Sequence, residues 1–273
     1  TNGFFNGSLD DVRLYSRALS GAEAAQLYKL GSTKHGVSPT TLLTDGLVGY
    51  WPFDGPHTSW TSATAGTTKD LTSNGNTGTM TNMSQSASPI SGKVGQGLIF
   101  DGVNDYVTAA STGIGSLTTE ITSAFWIKTT RASVPGTTIE AVRNDSHFTP
   151  LQIASTAGAG SGTAIQSRCV RRSGGANNLF YFDWNGVFND GKWHHYACSY
   201  SSTNGFRVYK DGALYASTGA YTGAMNTTAN ALCFGAACEG TPSGWGDVAL
   251  DDIRFYDRVL SDSEIKLLYN TTM

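Results

Sequence analysis

The chain has 273 residues, a formal net charge of −3 at pH 7 and 39% hydrophobic residues, enough apolar material for one or two cored domains. It has no run of Lys or Arg to meet nucleic-acid phosphates or an anionic membrane surface, and no apolar stretch long enough to cross a bilayer, so neither nucleic acid nor membrane insertion is expected. Charged residues make up only 14%, glycines number 33, and aromatic residues run the whole length, which predicts an all-β protein of short strands and tight turns.

The opening "TNGFFNGSLD" lacks the basic and apolar regions of a signal peptide, as expected of a processed chain or an excerpt. It leads into "LDDVRLYSRALSGAEAAQLY" (residues 9–28), which returns near the end as "LDDIRFYDRVLSDSEIKLLY" (residues 250–269), the two sharing 11 of 20 positions without a gap. So wide a separation implies one large domain between the copies, not the period of a solenoid. Each copy is predicted to be a strand followed by a short helix. In the second, alternation places Asp251, Ile253 and Phe255 on one face and Asp252, Arg254 and Tyr256 on the other. Ser261 and Glu264 then form a capping box, and Ile265, Leu268 and Tyr269 recur at helical spacing; Ser20 and Glu23 repeat the box in the first copy.

Residues 32–44 have the Gly, Ser, Thr and Pro content of a linker, which ends where "LVGYWPFDG" begins a strand. Further strands are predicted at "QGLIFDG", "DYVTAAS", "ITSAFWIKT", "GTTIEAVR", "LFYFDWNG", "WHHYACSYS", "GFRVYKDGALYAS", "ANALCFGAA" and "ALDDIRFY". Asp101-Gly102, Asn185-Gly186, Asn204-Gly205 and Asp211-Gly212 punctuate them as turns. Roughly ten to fourteen short strands suit a single sandwich better than two small domains.

Four cysteines, Cys169, Cys198, Cys233 and Cys238, allow three disulfide connectivities, and none lies at zinc spacing. A Cys233–Cys238 bond could close the short loop of "CFGAAC"; the alternatives are a Cys169–Cys198 bond or four buried thiols. Few lysines and many Thr and Asn favour an oxidising, extracellular or cell-surface setting.

Four passages, "GYWPFDG" (49–55), "GQGLIFDGVNDYV" (95–107), "GKWHHYACSY" (191–200) and the closing residues 250–269, together resemble the laminin-G-like, concanavalin A-like jelly rolls. The resemblance covers residues 45–273 and implies a two-sheet antiparallel jelly-roll sandwich with a short C-terminal helix and with its first and last strands near each other. By the same resemblance, residues 1–31 look like the closing strand and helix of a preceding domain in a tandem-repeat surface protein. Leu9, Asp10, Asp11, Val12, Arg13, Leu14 and Tyr15 would then be a strand that seeks another sheet; residues 1–31 have three outcomes open to them, to be disordered, to pack on their own domain, or to complete a sheet in another chain, with neighbouring copies of the same protein as partners.

The resemblance also implies one structural calcium ion between first and last strands. Calcium takes six to eight oxygens from carboxylates, carbonyls and water, which points first to Asp54 and Asp251, then to Asp252, Asp101 and Asp105. Asp-Gly is itself a turn, so Asp101 has a reading without metal, and Asp252 has one as a partner of Arg254. Adjacent strand residues face opposite ways, so His194 and His195 cannot converge on one ion and are expected to be structural; the resemblance makes Trp193 a core residue. No G-x-S-x-G elbow occurs, and the glutamates are isolated rather than paired for glycoside hydrolysis, so no enzyme is expected and a glycosidase is the remote alternative. Trp60, Trp184 and Trp245 stand in turn-like stretches, where exposed rings could bind glycans or anchor loops. The resulting expectation is a non-enzymatic module acting in head-to-tail assembly or adhesion, with calcium-dependent carbohydrate binding as the alternative.

Overall fold

In the computed structural model the described residues are 14–21, 23–24, 43–115, 117, 119–130, 136–143, 148–155, 163–173, 176–183, 189–217, 229–236 and 242–271. The chain divides into two compact units, 1–42 and 43–273. In the first, Ser20 caps a short helical turn, as its capping box predicts: Ala24 N–H donates to the Ser20 carbonyl at 3.0 Å.

The second unit is built almost wholly of strands. Among the described residues one sheet joins β1 (Leu47–Trp51), β5 (Pro89–Ser91), β6 (Gln96–Asp101), β8 (Glu120–Lys128), β13 (His194–Ser201), β14 (Gly205–Lys210), β15 (Ala213–Ser217) and β17 (Asp247–Tyr256). Its order is β15-β14-β13-β8-β17-β6-β5, with β1 also on β17. The other contains β2 (Thr58–Trp60), β3 (Ala65–Thr68), β4 (Gly78–Thr81), β7 (Tyr106–Ala109), β9 (Gly136–Arg143), β10 (Phe148–Ser155), β11 (Thr163–Ser173), β12 (Ala176–Asp183) and β16 (Ala229–Phe234), in the order β12-β11-β10-β9-β16-β7-β4-β3-β2. Strand pairing among the described residues is antiparallel in both sheets, and one helix, α1 (Asp262–Thr271), ends the unit. The expected two-sheet antiparallel architecture with a short terminal helix is the one observed.

Strands β2 to β5, β10 and β11 fall on passages that apolar alternation does not mark. In β3 and β4 the inward positions include Gly66 and Gly78, whose missing side chains let neighbouring strands and Met80 approach. The turn signals are realised in different ways. Asp211 (φ 51) and Gly212 (φ 75) form the two-residue turn of the β14–β15 hairpin. Asp101-Gly102 instead ends β6 and starts the crossing to β7 in the other sheet, so it is not a hairpin. Asn185-Gly186 lies outside the described residues.

A core of apolar residues from both sheets fills the sandwich. Trp51 meets Phe234 of the opposite sheet edge-on at 5.1 Å between ring centroids, and Phe255 at 6.2 Å. A second apolar cluster sits beneath α1: Ile265 and Leu268 pack with Ala124, Ala197, Tyr209, Tyr256 and Leu260. Small alanines on adjacent strands make room for the helix, and the Ser261–Glu264 box fixes its start, Ser261 N–H donating to Glu264 Oε2 at 2.8 Å. Trp193, expected in the core, is half-buried and belongs to neither cluster, because it precedes the first residue of β13.

The closing strand β17 has different partners along its length. Its residues 247–250 pair with β6, whereas residues 253–256 pair with β1, so these two strands share one edge of β17 end to end. The partner changes at Asp251 and Asp252. On the other edge the register to β8 shifts between Asp251 and Arg254, and Asp252 takes a left-handed φ of 54. This bulge overturns the expected alternation. Leu250, Ile253 and Phe255 face the core, while Asp251 belongs to the opposite face from Ile253.

Candidate functional site

Because β1 and β6 meet end to end beside β17, the turn entering β6 and the turn leaving β1 converge on the bulge. Phe53, with φ 60, bends the chain off β1 and brings Asp54 to that turn. Asp54 Oδ1 accepts from Gln96 N–H at 2.8 Å, and Gln96 Nε2 returns a hydrogen bond to the Phe53 carbonyl at 2.8 Å. Asp251 Oδ2 accepts from Val94 N–H at 2.8 Å, and Lys93 N–H also donates to this carboxylate. Glycines make the approach possible: a side chain at Gly92 would meet Asp251 Oδ2 at 2.5 Å, and one at Gly95 would overlap Asp54 Oδ1.

The two carboxylates expected first for calcium are thus gathered on one turn. Asp251 is fully buried and its Oδ1 has no hydrogen-bond partner. Burial above all, reinforced by the charges of Asp252 and Asp54, pushes its carboxyl up to about 7. An orphaned, buried carboxylate oxygen fits either a retained proton or a cation. Among the described residues no three His, Cys, Asp or Glu side chains form a metal-binding group, so an ion here would take its remaining oxygens from the main chain and water.

Asp252 is committed elsewhere. Its Oδ1 accepts from Arg254 Nη2 at 3.1 Å, and the guanidinium lies 4.4 Å from the centroid of the Tyr50 ring. This is the partnership considered from sequence, and because the pair is nearly buried it is not the weak interaction of an exposed one. Asp101 and Asp105 lie at the far end of β6. Asp101 Oδ1 accepts from Val103 and Asn104 N–H groups at 2.8 and 3.3 Å, and Asp105 Oδ2 accepts from Asp101 N–H at 3.2 Å. Burial, then the charge of Asp101, raises Asp105 to about 6. These are turn-capping contacts, as the Asp-Gly reading anticipates.

The histidines take opposite faces. His194 is flanked by Asp211 Oδ2 at 2.9 Å and Asp190 Oδ1 at 3.0 Å. His195 is buried edge-on to Trp126, 5.3 Å between ring centroids, and burial with the nearby Arg254 charge lowers it to about 3. They do not meet at one ion.

Trp60 packs half-buried against the core, as a loop anchor would. Trp245 instead stacks on Tyr106, 6.0 Å between centroids at 23°, and both rings keep partial exposure. The sequence reading gives Tyr106 only as a strand residue; β7 points Val107 and Ala109 inward and Tyr106 and Thr108 outward, which is the signal that marks it. Val103, two residues before Asp105, is 62% exposed in the same connection. Cys233 is disulfide-bonded and Cys198 is a buried thiol outside any disulfide. Trp184, Cys238 and residues 9–13 lie outside the described residues.

Two antiparallel sheets packed face to face, with the closing strand against the first, define a concanavalin A-like sandwich. The Laminin_G_3 family, described as the concanavalin A-like lectin/glucanases superfamily, matches residues 101–266, more than half of the chain, and the chain belongs to it. No curated protein matches the chain. Among solved structures, Domain 4 of AbnA, an extracellular GH43 arabinanase from Geobacillus stearothermophilus solved with arabinotriose, is similar at TM-score 0.55 and 17% identity, over 82% of this chain and 98% of that one. The binding domain of Paraclostridial mosquitocidal protein 1 is similar at TM-score 0.56 and 16% identity, over 84% and 53% of the two chains. A structure of botulinum neurotoxin type C, whose cell entry depends on interaction with two ganglioside molecules, is similar at TM-score 0.58 and 13% identity, over 86% and 53%. The chain spans about half the length of these toxin chains, and at such identities the likeness is one of fold.

Proposed function

We propose that residues 43–273 form a non-catalytic glycan-binding module that works outside the cell or at its surface. The observation that carries this reading is the half-exposed Tyr106–Trp245 stack. Aromatic rings cover the apolar face of a sugar while nearby polar groups take its hydroxyls, and the exposed Asp101, at the end of β6, and Asn104, in the connection that follows, stand just before Tyr106. The similarity to an arabinotriose-bound domain and to a ganglioside-dependent toxin agrees with a binding role. Glu23 and Glu264, as helix caps, are spent on structure and not on hydrolysis.

The test is titration with arabinotriose and with ganglioside oligosaccharides, read by tryptophan fluorescence and calorimetry. Trp245→Ala and Tyr106→Ala are each expected to weaken binding about 5- to 30-fold, since a lost ring contact is worth roughly 1–2 kcal/mol. Trp60→Ala is expected to lower stability and leave the affinity of the folded protein alone. Binding unchanged by both ring deletions would remove the site.

The same module would hold one calcium ion through Asp54, Asp251 and main-chain carbonyls. The ion would supply the counter-charge that Asp251 Oδ1 lacks and tie the turn before β6 to the closing strand. A second reading, assembly or adhesion between copies, is favoured by the duplicated closing passage.

A further inference from the structure

Arg17, Ser20, Glu23 and Ala24 repeat the clamp and capping contacts of Arg258, Ser261, Glu264 and Ile265. Arg17 Nη2 pairs with Glu23 Oε1 at 2.6 Å, and Arg258 Nη2 pairs with Glu264 Oε1 at 2.8 Å. Ser20 N–H donates to Glu23 Oε2 at 2.8 Å, as Ser261 N–H does to Glu264 Oε2 at 2.8 Å. Glu23 N–H donates to Ser20 Oγ at 3.3 Å, matched by Glu264 N–H to Ser261 Oγ at 3.3 Å. Their surroundings are opposite. Phe255 and Tyr256 are fully buried and Leu260 is 1% exposed, whereas Leu14 is 97% exposed, Tyr15 is 45% exposed and Leu19 is half-buried.

The second copy shows what covers such an element. Phe255 packs edge-on to Trp51. Tyr256 Oη donates to the Leu43 carbonyl at 3.0 Å. Thr122 Oγ1 donates to the Arg258 carbonyl at 2.7 Å and accepts from Leu260 N–H at 3.1 Å, so one hydroxyl satisfies two main-chain groups of the connection. In the sandwich of residues 43–273 this slot is filled by that sandwich's own closing passage.

We infer that residues 14–24 are a preformed closing element for a second concanavalin A-like sandwich, distinct from residues 43–273. That partner must present three things: an aromatic ring for Leu14, a main-chain carbonyl for the Tyr15 hydroxyl, and a Thr or Ser hydroxyl to bridge the Arg17 carbonyl and the Leu19 N–H. The inference deepens the assembly reading and rests on it only if the second sandwich belongs to another molecule. The local bonds form before docking because the capping box and the Arg–Glu clamp are contained within the element, and the exposed Leu14 and Tyr15 supply the apolar surface to be covered.

The test exchanges the passages in the full chain, writing the sequence of residues 9–28 over residues 250–269. A second chimera keeps Phe255 and Ile265 in place, so that a cavity alone cannot explain failure. The expected result is a single cooperative melt with β-sheet circular dichroism in at least the second chimera, lost when Tyr256→Asp is added. Collapse of both chimeras would overturn the inference. Light scattering of the unmodified chain and of Leu14→Asp separately tests assembly. Mass that grows with concentration and falls back in Leu14→Asp places the second sandwich in another molecule. Monomers throughout, with a folded chimera, overturn assembly between molecules while the closing role stands.

Discussion

Burial of Asp251 leaves Oδ1 without a hydrogen bond while backbone N–H groups hold the same carboxylate through Oδ2, and this asymmetry sets the response to pH and to divalent ions. The folded value, about 7, lies above the ordinary 3.8, so the contribution of this group is full below about pH 4 and is lost as pH rises through 7. In chelator, melting temperature is expected to fall between pH 4 and pH 7, with Asp105, raised to about 6, adding to the trend and the buried His195, lowered to about 3, opposing it up to about pH 6.5. Asp251→Asn should flatten the part above pH 6. Calcium at pH 8 should raise the melting temperature of the parent and not of Asp251→Asn, since only an ion that binds the folded site shifts it. An equal calcium shift in both proteins would place the ion elsewhere. The Asp252–Arg254 pair gives a second prediction at this scale. Asp252→Ala strands a nearly buried guanidinium and should cost about 3–5 kcal/mol in urea unfolding, and Arg254→Met added to it should recover much of the loss. Additive losses in the double variant would contradict the pairing.

Helix α1 depends on its first turn and on the sheet beneath it. Ser261 Oγ meets Glu264 Oε2 at 2.7 Å and accepts from Glu264 N–H, so Ser261→Ala is expected to cost about 1 kcal/mol in urea unfolding. The β14–β15 turn touches the other end of the same helix. Gly212 has φ 75 and a Cβ there would meet Tyr269 at 3.0 Å, so Gly212→Ala is strained twice and should destabilise by more than the Ser261 change. A smaller effect at Gly212 would mean that the turn relaxes. These elements were legible for physical reasons: the S-x-x-E spacing reads as a cap at any position, and Asp-Gly supplies two left-handed residues wherever a hairpin needs them. The bulge in β17 was not legible, because Leu250 and Ile253 each look correct in a strand and nothing local says that two residues stand between them on the core face.

At the scale of the molecule, both apolar clusters are built from residues after 42, so a chain beginning at Leu43 is expected to melt cooperatively with its β-sheet spectrum retained. A broad, non-cooperative melt would mean that the opening residues complete the core. By itself the sequence determined the all-β class, the helix caps and the duplicated closing passage, since composition, capping spacing and repetition are local patterns that survive any packing; its resemblance to the concanavalin A-like jelly rolls implied the two-sheet antiparallel sandwich. It also marked Asp54 and Asp251. Only the tertiary structure decided which carboxylates meet. Asp252 turns to Arg254, Asp101 and Asp105 stay a strand's length away, and Asp54 joins Asp251 because β1 and β6 share one edge of β17. Tyr106 joined Trp245 for the same kind of reason, two positions far apart in the chain being brought ring to ring by the sheet. Pairing between distant segments is fixed by the register of whole strands, and no window of sequence contains it.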